Sequence, residues 1–117
     1  MATSKVNRQL NIVLDASLFT NLDSHFDTSR FFRRRIGRTV YLTIAIEGGI
    51  TNGSRLFTID SSIRPVQSVI VSPIFSSNGS VITNASVWIE ANDTSKATFY
   101  GTTLPNGLYF ATLTYTV

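Results

Sequence analysis

The chain has 117 residues, 43% hydrophobic but only 15% charged, with a net charge of +3. That is enough for one domain with a modest core, at a charge content well below the roughly 25% usual in soluble domains. It has no cysteine and one histidine, His25, which excludes a disulfide framework, a thiolate or multi-histidine metal site and a cysteine nucleophile. Hydroxyls replace the missing charge. There are 15 Thr and 14 Ser beside 11 Ile and 9 Val, a composition that suits pleated, half-buried strands. No apolar run approaches the roughly 18 residues of a membrane-spanning helix. The start, Met1-Ala2-Thr3-Ser4-Lys5, lacks the apolar stretch of a secretion signal.

Residues 1 to 9 read as a polar lead-in, and residues 10 to 14 alternate as a first strand. Residues 15 to 29 read as irregular with one helical turn, since Leu18, Leu22 and Phe26 keep helical spacing among poor helix formers. The clearest strand covers 38 to 46, with Val40, Leu42, Ile44 and Ile46 on one face and Tyr41 on the other. Turns follow at Gly48-Gly49 and Asn52-Gly53, then a short strand from Leu56 to Ile59. Arg64-Pro65 interrupts the ladder, and Val66 to Val71, apolar on both faces, reads as a buried central strand. Asn78-Gly79 turns the chain into a strand over 81 to 91, with Val81, Ala85, Val87 and Ile89 on one face. After Asn92-Asp93 come a strand from Lys96 to Gly101, a turn at Pro105-Asn106-Gly107 and a last strand over 108 to 117. Seven or eight short strands with frequent turns define an all-β chain, an antiparallel sandwich or barrel.

Catalysis has little support. His25 lies near Asp23 and Asp27, but there is no Gly-x-Ser-x-Gly elbow. Asp60, Glu47 and Glu90 show no spacing that marks a carboxylate pair. No cofactor or metal is implied, and the expectation is a non-enzyme. His25 is expected at the surface or against a ligand. The four Asn-x-Ser/Thr sites at Asn52, Asn78, Asn84 and Asn92 read as turn chemistry.

Half of the ten basic residues sit in Arg30, Arg33, Arg34, Arg35 and Arg38, around Phe31 and Phe32. Three readings follow. The arginines bind nucleic acid while the phenylalanines stack on bases. Alternatively Arg33, Arg35 and their neighbours grip an anionic polymer. The third reading is structural, with pairing to Asp15, Asp23, Asp27 or another subunit, and it is favoured. Trp88 stands on the polar face of its strand with Asn84, Ser86 and Glu90. A flat ring among hydrogen-bonding groups suits a sugar platform or a subunit contact, and Tyr41 shares that ambiguity.

The motif order is Arg38-Thr39-Val40-Tyr41-Leu42, a Gly loop, Leu56-Phe57-Thr58-Ile59, Arg64-Pro65, Val87-Trp88-Ile89, Asn92-Asp93, Phe99-Tyr100-Gly101 and Leu108-Tyr109. It resembles the C-terminal head or carbohydrate-binding domains of tail-tip proteins in phages of Gram-positive bacteria, such as lactococcal phage receptor-binding and baseplate proteins. The resemblance covers roughly residues 36 to 117. It implies a compact head over residues 31–117 behind a lead-in with the first strand over 1–30. It implies a homotrimer in the virion, bound to other tail or baseplate proteins and, without catalysis, to host cell-wall saccharide or an anionic polymer. A structural virion component without a ligand is the alternative, and a nucleic-acid-binding barrel a second one. No membrane partner is implied.

Overall fold

The computed structural model describes residues 11–91 and 95–117, and it is all-β. The lead-in over residues 1 to 9 and the turn at Asn92-Asp93 lie outside the described residues. Among the described residues nine strands run in chain order: β1 Asn11–Val13, β2 Phe19–Thr20, β3 Phe32–Ile36, β4 Thr39–Glu47, β5 Arg55–Ile59, β6 Val69–Ser76, β7 Val81–Ala91, β8 Ser95–Gly101 and β9 Leu108–Thr116. They form one antiparallel sheet in the order β1-β3-β4-β9-β6-β7-β8-β5-β2. The sheet curls into a half-barrel, so the barrel expectation is nearer than the sandwich. There is one sheet folded on its own core, not two sheets face to face.

Alternation explains which side faces in. Val40, Leu42, Ile44 and Ile46 of β4 lie opposite Tyr115, Leu113, Ala111 and Tyr109 of β9. All eight are buried, and directly opposed residues share a face. Val87 and Ile89 of β7 and Ala97 and Phe99 of β8 extend the same core. Leu14, Phe19 and Phe26, from the first thirty residues, belong to it as well.

The stretch read as irregular crosses the open side of the half-barrel. Phe19 and Thr20 pair with Ile59 and Thr58 of β5. Seven residues on, Phe26 bridges Ile46 of β4, and Asp27 N–H donates to the Ala45 carbonyl at 2.9 Å. The segment therefore bonds to both margins. Phenylalanines from the segment and its neighbours seal the gap: Phe19, Phe26, Phe31 and the β5 residue Phe57 pack with ring centroids 4.8 to 5.6 Å apart, a spacing at which aromatic pairs attract beyond their area. The expected helical turn is two 3-10 turns, Ala16–Leu18 and Thr28–Arg30, with a third at Ser61–Ile63. Asp15, Asp27 and Asp60 cap them, each accepting from the N–H of the serine two residues on.

Two strand assignments change. The arginine run is itself a strand, β3, joined to β4 by the two-residue loop Gly37-Arg38. Gly37 sits at φ +60°, which a tight hairpin needs at its first loop position. The expected central strand over 66–71 is displaced to 69–76, and Val66, Val69 and Val71 are exposed rather than buried. Pro73 offers no N–H inside β6; the hydroxyl of neighbouring Ser72 donates to the Thr112 carbonyl of β9 at 2.8 Å and holds the junction.

Candidate functional site

The convex face of β7 and β8 carries aromatic and polar groups side by side. Cross-strand register places Ser86 opposite Tyr100, Trp88 opposite Thr98 and Glu90 opposite Lys96. Because Val87, Ile89, Ala97 and Phe99 point inward, the alternate residues must point out. Trp88 and Tyr100 are half-buried, and their rings meet edge to face at 5.3 Å and 73°. Trp88 Nε1 donates to Ser86 Oγ at 2.8 Å. The Tyr100 hydroxyl donates to Glu90 Oε1 at 2.9 Å. The indole is thus held on two sides, and its polar atom is satisfied within the protein. Accepting that hydrogen bond, Glu90 keeps the Tyr100 proton in place and raises its pKa. β6 flanks the patch, with Val71 opposite Trp88 and Val69 opposite Glu90.

Gly101 fixes the end of this strip. It sits at φ +141°, and a Cβ there would collide with the Asn84 carbonyl. Asn84 itself is at φ +57°. Together they bend β7 below Ser86, so that Val81 is exposed rather than continuing the buried face expected of it.

The candidates from sequence do not converge. Trp88 and Glu90 share the patch. Tyr41 is on the same convex side, opposite Arg34 and Thr114, but β9 and β6 stand between it and β7, a separation of roughly 14 Å at ordinary strand spacing. Tyr100 is the partner that the sequence reading did not place in the site. The signal was present in Phe99-Tyr100, where alternation sends one aromatic in and the next out.

His25 lies elsewhere, in the crossing segment. Its Nδ1 is 2.8 Å from Asp23 Oδ1, its carbonyl accepts from Glu47 N–H at 2.7 Å, and its ring edge faces Gly49. Among the described residues no serine or threonine hydroxyl hydrogen-bonds the ring, whose partner is Asp23.

The arginines are held mainly by the protein's own carbonyls. Arg33 and Arg35 take the core side of β3, opposite Leu42 and Val40. Arg33 donates to the carbonyls of Leu14 at 2.8 Å and Phe31 at 3.0 Å, with its guanidinium over the Phe31 ring. Arg35 donates to Gly37 O and Arg38 to the Val117 main-chain oxygen. Arg30 pairs with Asp27 at 2.6 Å, and Arg34 lies over Phe32 and donates to Asn11. Phe31 is packed in the aromatic cluster, so it is not free to stack on a base. Among the described residues no group of three or more His, Asp or Glu could hold a metal ion, and no helix is long and apolar enough to cross a membrane.

Two depressions stand out among the described residues. One of about 280 Å³ lies at the ends of β5 and β8. A shallower one of about 450 Å³ lies between Arg30, Glu47 and Asn106. Neither contains Trp88, Tyr41, Arg33 or Arg35. Comparison with family models, with curated proteins and with solved structures finds no match for this chain.

Proposed function

We infer that the protein is a non-catalytic adhesion module of a phage tail, binding host cell-surface saccharide on the convex face of β7 and β8. The observation that carries the reading is the Trp88–Tyr100 pair braced by Ser86 and Glu90. A pyranose presents an apolar face that packs on an aromatic ring and equatorial hydroxyls that seek acceptors and donors. Trp88 offers the ring, while the second oxygen of Glu90 and the ammonium of Lys96 offer partners on the adjacent positions. An open, flat site of this kind binds weakly, and several copies in one assembly strengthen it.

The homotrimer belongs to the same proposal. A second apolar group lies at the other end of the sheet: Val13, Phe32 and Tyr41, all exposed, on the convex side of β1, β3 and β4. Contact between copies there buries these side chains and leaves β7 and β8 facing outward. The structural-component reading shares this interface but gives Trp88 no ligand.

The test uses fluorescently labelled protein and isolated cell walls of Gram-positive bacteria. Sedimentation with the walls, lost in Trp88→Ala with an unchanged far-UV spectrum, supports the adhesion reading. Equal sedimentation of the variant removes Trp88 from the site.

A further inference from the structure

The cavity of about 280 Å³ at the ends of β5 and β8 has a lining unlike the rest of the surface. Thr20, Thr58, Ser61 and Ser95 bring hydroxyls, Asp60 a carboxylate and Arg64 a guanidinium. Arg64 is the residue of the Arg64-Pro65 element, and the saccharide platform gives it no role. Its Nη2 donates to the Ala91 carbonyl at 3.1 Å, which anchors the group and leaves further N–H donors for another acceptor. Asp60 accepts both of its bonds from Ser62 on Oδ2, so Oδ1 is used in neither. Ser95 is 3% exposed, and its Oγ is buried without a hydrogen-bond partner among the described residues. An unmet buried hydroxyl is costly; Ser95 lines the cavity, and a rotation of its side chain that brings Oγ to the wall lets a ligand hydroxyl supply the missing partner.

Position ties this cavity to the platform. Thr20 is opposite Thr58, Thr58 is opposite Lys96, and Lys96 is opposite Glu90. These four lie in one row on the convex face, with Thr58 and Glu90 two strand spacings apart, about 10 Å. We propose that the cavity is a second subsite, holding one neutral polyhydroxylated unit of the saccharide chain whose neighbouring units cross Lys96 to Trp88. One carboxylate against one guanidinium favours a neutral unit. Mixed donors and acceptors match ring hydroxyls, each of which both donates and accepts. The volume lies just under the range of drug-sized ligand sites, the size of one sugar ring rather than two. The inference rests on the saccharide reading and adds the ligand's length and direction.

The test titrates isotope-labelled full chain with glucose, N-acetylglucosamine, cellotetraose and chitotetraose, following amide shifts by NMR. Variants are Arg64→Gln, Ser95→Ala and Trp88→Ala. Ser95→Ala deletes only an unpartnered hydroxyl, so its melting temperature holds or rises and any loss of binding is local. The expected result is a tetramer bound at least about tenfold tighter than its monomer, with shifts at both Ser95 and Trp88. That advantage falls to about twofold or less in Arg64→Gln and Ser95→Ala. A tetramer advantage unchanged in both cavity variants overturns the subsite and leaves the Trp88 platform standing. Binding lost in the cavity variants but kept in Trp88→Ala upholds the cavity and removes the platform. No shift with any of the four probes overturns both.

Discussion

Tyr100 and Glu90 are joined across the β7–β8 pair although neither is the other's register partner: the phenol stands opposite Ser86, passes Trp88 and donates to the carboxylate at 2.9 Å. The bond therefore runs along the strands and fixes the Tyr100 ring against which the Trp88 ring packs. A ligand meeting this face finds an indole whose orientation is already set, which lowers the entropic cost of binding. Tyr100→Phe removes the bond and keeps the ring. It is expected to weaken saccharide binding about three- to tenfold with little change in unfolding midpoint. Isothermal titration beside thermal melts checks both.

Tyr41 separates two roles that the sequence left together. Tyr41→Ala is expected to leave saccharide affinity within about twofold of the parent, because β9 and β6 stand between Tyr41 and β7. Phe32→Glu, on the same outer group, places a charge in the proposed subunit contact. Light scattering should then fall from about three times the 12.9 kDa chain mass to a single chain. A parent protein that already runs as a monomer contradicts the trimer.

Phe57 is the hub of the aromatic cluster, fully buried and in ring contact with Phe19, Phe26 and Phe31. Phe57→Ala removes those contacts where the crossing segment meets the sheet. The expected loss is about 3–5 kcal/mol of stability, a large share of what a domain of this size holds. Urea unfolding measures it, and a loss under about 1 kcal/mol contradicts the cluster's role.

The three capping aspartates set the response to acid. Asp15 is held below the usual carboxyl range by the Ser17 N–H, Asp27 by the Ser29 hydroxyl and then Arg30, and Asp60 by the Ser62 hydroxyl. A carboxyl with a lowered folded-state pKa stabilises above its unfolded pKa, and that contribution disappears as pH falls through the folded value. The melting temperature is therefore expected to be level from neutral pH to about 5 and to fall below about 4. A scan from pH 7 to 2.5 that stays flat contradicts the capping account.

Much of the fold was legible because β4, β9 and β7 from Ser86 onward alternate cleanly. Val40 to Ile46 and Tyr109 to Tyr115 announce one buried face with period two, and the structure buries them. β3 was hidden because charge masked its period. Arg33 and Arg35 occupy inward positions, where their stems cover apolar surface and their guanidiniums reach carbonyls at the edge. Val66 to Val71 misled for the opposite reason. A continuous apolar run reads as buried, but Val66 bonds to Thr116 before the β6–β7 ladder begins at Val69. Trp88 and Glu90 were readable as one face of one strand. The cavity was not, since Asp60, Arg64 and Ser95 come together only through the β5–β8 pairing, which no local pattern encodes.

Trp88 is the sole tryptophan, so selectively excited tryptophan emission reports on the proposed platform alone. The most direct measurement is its emission during titration with solubilised Gram-positive wall polysaccharide. The account predicts a saturable change in intensity with a shift of the maximum, and a weaker apparent affinity in Glu90→Ala. Emission that stays constant while the polysaccharide demonstrably binds the protein, or no binding at any concentration, contradicts it.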